Sequence, residues 1–160
     1  MLQAYFESIK YVGHLLPMSF LRIFLGYFYF DLVFKDWRQF VIGVGGYSDI
    51  FVEALNKAQI PAWYRLVLSE HVIPHWHIYA FFIIGLQLVV GVSYIIGYVV
   101  RPVSMLAVLL CLNYLTIYPL EREIFFKLLI SCHIMLAWVG AGRCLGLDYY
   151  FFKRRRGLWW

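Results

Sequence analysis

The sequence predicts an all-α integral membrane protein: an antiparallel four-helix transmembrane bundle with short amphipathic interfacial helices between the first and second spans. Two observations lead there. Hydrophobic residues make up 63% of the chain and charged ones 14%, leaving too little polar material to cover a soluble domain of this size. The apolar residues also fall into four runs, each near the length of about 20 residues that crosses a bilayer. The whole chain, 1–160, reads as one domain.

The first span is expected over about 15–35, and it carries Arg22 and Asp31 within it. Pro17 suits its first turn, where a missing N–H costs nothing. Met1 to Lys10 mixes Gln3, Glu7 and Lys10 and offers no cleavage site, so insertion is expected to use the first span itself.

The long connection, 36–77, contains Gly43, Gly45 and Gly46, and then Asp49 to Ala58, with Ile50, Leu55 and Ala58 near one face and Glu53 and Lys57 near the other. This pattern predicts a short amphipathic helix. After Pro61, Ala62 to Val72 reads as a second, stopped near Pro74. Both are expected to lie on the membrane surface.

The second span, 78–100, has no formal charge. Arg101-Pro102 is expected to turn the chain, because the residue before proline avoids helical geometry. A short third span, 103–119, is closed by Pro119, and Glu121-Arg122-Glu123 leads to a fourth, 124–145, ended by Gly142 and Gly146. Links this short make consecutive spans antiparallel neighbours.

The net charge of +5 is concentrated in Lys153 to Arg156, beside Trp159-Trp160. A basic cluster next to aromatics points to a membrane surface and away from nucleic acid. By the positive-inside rule, 149–160 is a basic cytoplasmic tail, and four spans put the N-terminus on the same side. Lys35, Arg38, Lys57 and Arg65 vote against this orientation.

Each ionisable group within a span needs a partner. Antiparallel order brings Arg22 to the depth of the turn after the fourth span, which predicts a structural ion pair with Asp148. Asp31 and Lys35, four apart, can pair on one helix face. Gln87, Asn113 and His133 fall at one depth on three helices, and with Asp31 and Lys127 they outline a candidate polar pocket. Two readings stand for it: hydrogen bonding to a quinone, with Asp31 relaying protons, or interhelical bonds that glue the bundle together.

Other chemistry has less to build on. Cys111, Cys132 and Cys144 lie in apolar runs with no C-x-x-C pair. His14 and His133 sit at different depths, which is poor geometry for a bis-histidine haem. Pro74 interrupts the helix that would align His71 and His75. No metal site and no intrinsic cofactor are expected, and no dinucleotide or phosphate-loop fingerprint is present.

Several stretches resemble the DoxX superfamily, and most closely its DoxD type, the small subunit of thiosulfate:quinone oxidoreductase. They are Leu21 to Gly26 running on to Lys35, Pro61 to Arg65 through Val72-Ile73-Pro74-His75, Gly91 through Gly97 to Arg101, and Gly140 to Arg143 with Gly146-Leu147-Asp148. Their order and spacing cover nearly the whole chain. The resemblance implies a four-helix bundle of bacterial or archaeal cytoplasmic membranes, a quinone as substrate, and other membrane or extracytoplasmic subunits as partners. Where the family often carries an acidic residue in the second span, this chain has Gln87, which cannot carry a proton away. Non-catalytic assembly within a larger membrane complex is the alternative. Transport is a third reading, but no broken-helix pair or inverted repeat supports it.

Overall fold

A computed structural model describes residues 10–42, 46–56, 60–118 and 120–154, and among these every regular element is helical. The elements are α1 (Leu16–Ile42), α2 (Gly46–Leu55), α3 (Ala62–Val67, continued by a π-turn over Leu68–Val72), α4 (Trp76–Ile96), α5 (Val100–Ile117), α6 (Glu123–Val139) and α7 (Asp148–Arg154). Three of them are long and apolar enough to cross a membrane: the helix over Lys10–Arg38, α4 and α5. At 17 residues α6 is shorter, and 3₁₀ turns at Leu120–Arg122 and Ala141–Arg143 flank it.

Several boundaries differ from the sequence expectation, each for a local reason. The first helix runs seven residues beyond 35, because no glycine or proline interrupts the chain before Gly43. Pro102 does not begin the turn between α4 and α5. It sits in the first turn of α5, where the N–H groups have no intrahelical acceptor and its missing donor costs nothing. The chain reverses earlier, at Gly97 (φ +70°) and Val99 (φ +53°). The fourth helix stops at Val139 and not at 145, because Gly140 takes the left-handed conformation that ends it. Of the first amphipathic segment, Lys57 and Ala58 lie outside the described residues, as does the tail beyond Arg154.

Two cores organise the molecule. The main one joins Leu25 and Tyr29 of α1, Val90 and Tyr94 of α4, Ala107 and Cys111 of α5, and Leu129 and Leu136 of α6. Gly26 and Gly91 let α1 and α4 approach closely: a Cβ on Gly26 would come within 3.1 Å of the Gly91 carbonyl oxygen. Small residues at a crossing are the usual means of tight packing between apolar helices.

The second core lies where the long connection folds back. Phe51, Ala54, Ile60, Leu68 and Val72 pack against Ala80, Ile84 and Ile117, with Glu53 exposed on the other face of α2. Tyr64 joins this part to α5, accepting from Asn113 Nδ2 at 3.0 Å. Below, the end of the molecule bearing α2 and α3 is the loop end, and the end with the Gly97 reversal is the turn end.

Around the cores, large apolar side chains face outward, including Phe20, Phe24, Phe34, Phe81, Phe82, Leu109, Leu128 and Trp138. A face of this composition suits lipid, where an aqueous protein would cover it.

Candidate functional site

The inward faces of the four long helices repeat every seven residues. Arg22, Tyr29 and Asp36 follow one another on α1, Gln87 and Tyr94 on α4, Ser104 and Cys111 on α5, and Phe126 and His133 on α6. All are buried. The polar groups among them meet in three layers.

At the turn end, Arg22 Nη1 donates to the Ala141 carbonyl at 3.0 Å and Nη2 to the Leu145 carbonyl at 2.7 Å. Ser19 donates to the Cys144 carbonyl at 2.9 Å. Asp148 caps α5, its two oxygens accepting the Val99 and Val100 N–H groups at 2.6 and 3.1 Å. The expected charges therefore reach one knot, each held mainly by backbone groups. Burial pushes the Asp148 carboxyl up, and the two N–H bonds with the Arg22 and Arg143 charges oppose that rise. Gly146 leaves room for the guanidinium, since a Cβ there would lie 2.7 Å from Arg22 Nη1.

In the middle layer, His133 is held at both ring nitrogens. Nε2 lies 2.9 Å from the Tyr29 hydroxyl and Nδ1 lies 2.8 Å from that of Tyr94. Tyr94 donates to Ser104 at 3.0 Å, and Ser104 donates to the Val100 carbonyl at 2.7 Å. Because a carbonyl only accepts, this end fixes the direction of the whole chain. Ser104 and Tyr94 have spent their protons, so His133 Nδ1–H donates to Tyr94. Nε2 then accepts from Tyr29, which in turn lies 3.5 Å from Cys111 Sγ.

The loop-end layer is built differently. Gln87 Nε2 donates to Asp36 Oδ2 at 2.7 Å and to the Tyr114 hydroxyl at 2.5 Å, while Gln87 Oε1 is buried without a hydrogen-bond partner. Beside them opens a cavity of about 280 Å³, walled by Phe28, Leu32, Phe125 and Phe126, with Asp36, Gln87, Tyr114, Tyr118 and Arg122 as its polar groups. Arg122 lies over the Tyr118 ring, 5.4 Å from its centre. A larger groove of about 650 Å³ lies along Leu88, Val92, Ile96 and Phe151 near the turn end, but Ser93 is its one polar side chain apart from the Tyr98 hydroxyl. Only the smaller cavity pairs apolar walls with convergent polar groups.

The five expected pocket residues do not gather round one space. Gln87 lines the cavity, and His133 lies in the middle layer. Asp31 pairs with Lys35 at 2.5 Å on a solvent- or lipid-facing surface, so it cannot relay protons into the interior. Lys127 pairs with Glu123 one turn away, also outside. Asn113 turns to Tyr64. An expectation of equal depth did not fix the rotational angle of each helix.

Asp36, Tyr29, Tyr94 and Tyr114 were absent from that expectation. With the first span ended at 35, Asp36 falls in the loop, and tyrosine in an aromatic-rich, apolar chain reads first as an interfacial anchor. Seven-residue spacing is the signal for three of them, Tyr29 and Asp36 from Arg22 and Tyr94 from Gln87, whereas Tyr114 follows no such repeat. Among the described residues, no group of three or more His, Cys, Asp or Glu side chains assembles a metal site. No family model, curated protein or solved structure matches the chain.

Proposed function

We propose that the chain is a four-span subunit of a quinone-linked membrane oxidoreductase, and that the loop-end cavity holds the quinone ring. The carrying observation is the cavity itself: aromatic walls close on a polar end that offers donors, the Tyr114 hydroxyl and the Arg122 guanidinium. The DoxD-like motifs in the sequence point to the same substrate class. In this reading α6 is the fourth span. Its 17 residues extend about 26 Å, close to the hydrocarbon thickness of about 30 Å, and its flanking turns supply the remainder. The loop end faces away from the cytoplasm, with α2 and α3 at the interface and both termini on the cytoplasmic side of a bacterial or archaeal membrane.

Reducing a quinone to a quinol takes two electrons and two protons. Arg122 and the Tyr114 hydroxyl supply hydrogen bonds to quinone oxygen, and Asp36 is the group able to hold a proton beside it. The electrons come from the reduced centre of a partner subunit, which is where an extracytoplasmic donor such as thiosulfate would act. The partner contributes the donor side, and this chain contributes the site in the lipid phase.

A second reading, a non-catalytic assembly subunit, draws on the saturated middle layer, which suits polar glue between helices. Purification in mild detergent, followed by mass spectrometry of extracted lipids and co-purifying chains, separates the two. The first reading predicts bound quinone that is lost in Arg122→Leu. A stable larger assembly that carries no quinone in the wild type favours the second and overturns the first.

A further inference from the structure

The orientation of the Gln87 amide is dictated by its neighbour. Nε2 faces Asp36 Oδ2 at 2.7 Å, and turning the amide over would set oxygen against an ionised carboxylate oxygen. Gln87 Oε1 is thereby left as an acceptor, in a side chain with no exposure. An acceptor in that place calls for a ligand that donates. If Asp36 takes a proton the constraint reverses, because its O–H can donate to Oε1. The amide then turns, and Nε2 becomes the group offered to the ligand.

We propose that Asp36 and Gln87 form a proton-set amide switch that decides which oxidation state of the ligand the cavity takes. With Asp36 ionised, Oε1 accepts from the hydroxyl of a quinol; with Asp36 protonated, Nε2 donates to the carbonyl of a quinone. The proposal rests on the reading that a quinone occupies the cavity. Linkage is reciprocal, so quinone binding brings a proton onto Asp36 and places one of the two required protons beside the ring before electrons arrive. The other titratable or charged groups lining the cavity are Tyr114 from α5, Tyr118 just after it, and Arg122 from the turn before α6. The α1 and α6 walls add Phe28, Leu32, Phe125 and Phe126, all uncharged.

The test uses the full chain in lipid nanodiscs, titrated with a benzoquinone carrying one isoprenoid unit and with its quinol. For the wild type, quinone affinity is expected to fall about tenfold between an acidic and a neutral pH, while quinol affinity does not fall. In Asp36→Asn the new amide donates to Oε1 as a protonated carboxyl would. That variant should keep the tighter quinone binding at both pH values and bind quinol more weakly. Gln87→Met retains the volume and removes the amide, so its quinone binding should lose the pH dependence; it carries the test if Asp36→Asn fails to fold. PH dependence that survives in either variant overturns the switch. Binding of both probes by the wild type with no pH dependence overturns the switch alone, whereas binding of neither overturns the quinone reading with it.

Discussion

The Tyr94 hydroxyl lies 2.8 Å from His133 Nδ1 and has committed its own proton to Ser104, so it can only accept from the imidazole. This single relation sets the tautomer of a buried histidine. No carboxylate bonds to the ring among the described residues, and a buried imidazolium would need one. Nitrogen NMR of protein labelled at histidine should therefore report a neutral His133 protonated on Nδ1. A signal for the Nε2–H tautomer would reverse the direction assigned to the middle layer.

Removing that imidazole should be costly because it strands the Tyr29 hydroxyl in the core. His133→Phe is expected to lower stability by about 1–3 kcal/mol, the usual cost of leaving a buried polar group unbonded. Cys111→Ala should do much less, since its 3.5 Å contact with Tyr29 involves a weak thiol donor. Unfolding of both variants in nanodiscs measures the difference.

Glycine substitutions distinguish the turn-end knot from the middle of α4. Gly146→Ala would drive a Cβ towards Arg22 Nη1 and the Gly97 carbonyl oxygen, 2.7 and 2.8 Å away, and should lower the thermal midpoint by several degrees. Gly85→Ala meets nothing within 4 Å and should hold or raise it, because alanine favours a helix over glycine by about 1 kcal/mol. Equal effects from the two would remove the knot as a stabilising feature.

Asp148 gives the turn end a pH signature. Its folded value is raised above the ordinary 3.8, burial being the main cause. A carboxyl raised in this way binds its proton more tightly folded than unfolded. Its linkage favours folding at pH below 3.8, and that advantage is lost as pH climbs through the raised folded value. In Asp148→Asn this part of the pH dependence should vanish, while the cap weakens because one amide oxygen replaces two carboxylate oxygens. Thermal midpoints across an acidic-to-neutral series check the sign, and a variant with the wild-type slope would assign the titration to another group.

How much of this was legible in the sequence follows from which residues are conspicuous in an apolar run. Arg22, Gln87, His133 and Asp148 stand out by polarity alone, and all four are buried in the structure. Asp36 was hidden by one boundary, since α1 has no breaker between Lys35 and Ile42. Asp31 drew attention for the same reason as Arg22 but lies outside, paired with Lys35. Hydropathy assigns depth, and only the seven-residue phase from Arg22 to Tyr29 to Asp36 assigns direction. The tyrosine partners were legible only after that phase was fixed.

The most direct measurement is photo-crosslinking with an azidoquinone in native membranes, with the adducts mapped by mass spectrometry. Saturable labelling of peptides containing Tyr118, Phe125 or Phe126, competed by unlabelled quinone and lost in Arg122→Leu, is the predicted result. Labelling confined to the groove at Leu88, Val92 and Phe151, or labelling that does not saturate, would contradict a quinone site between the helices.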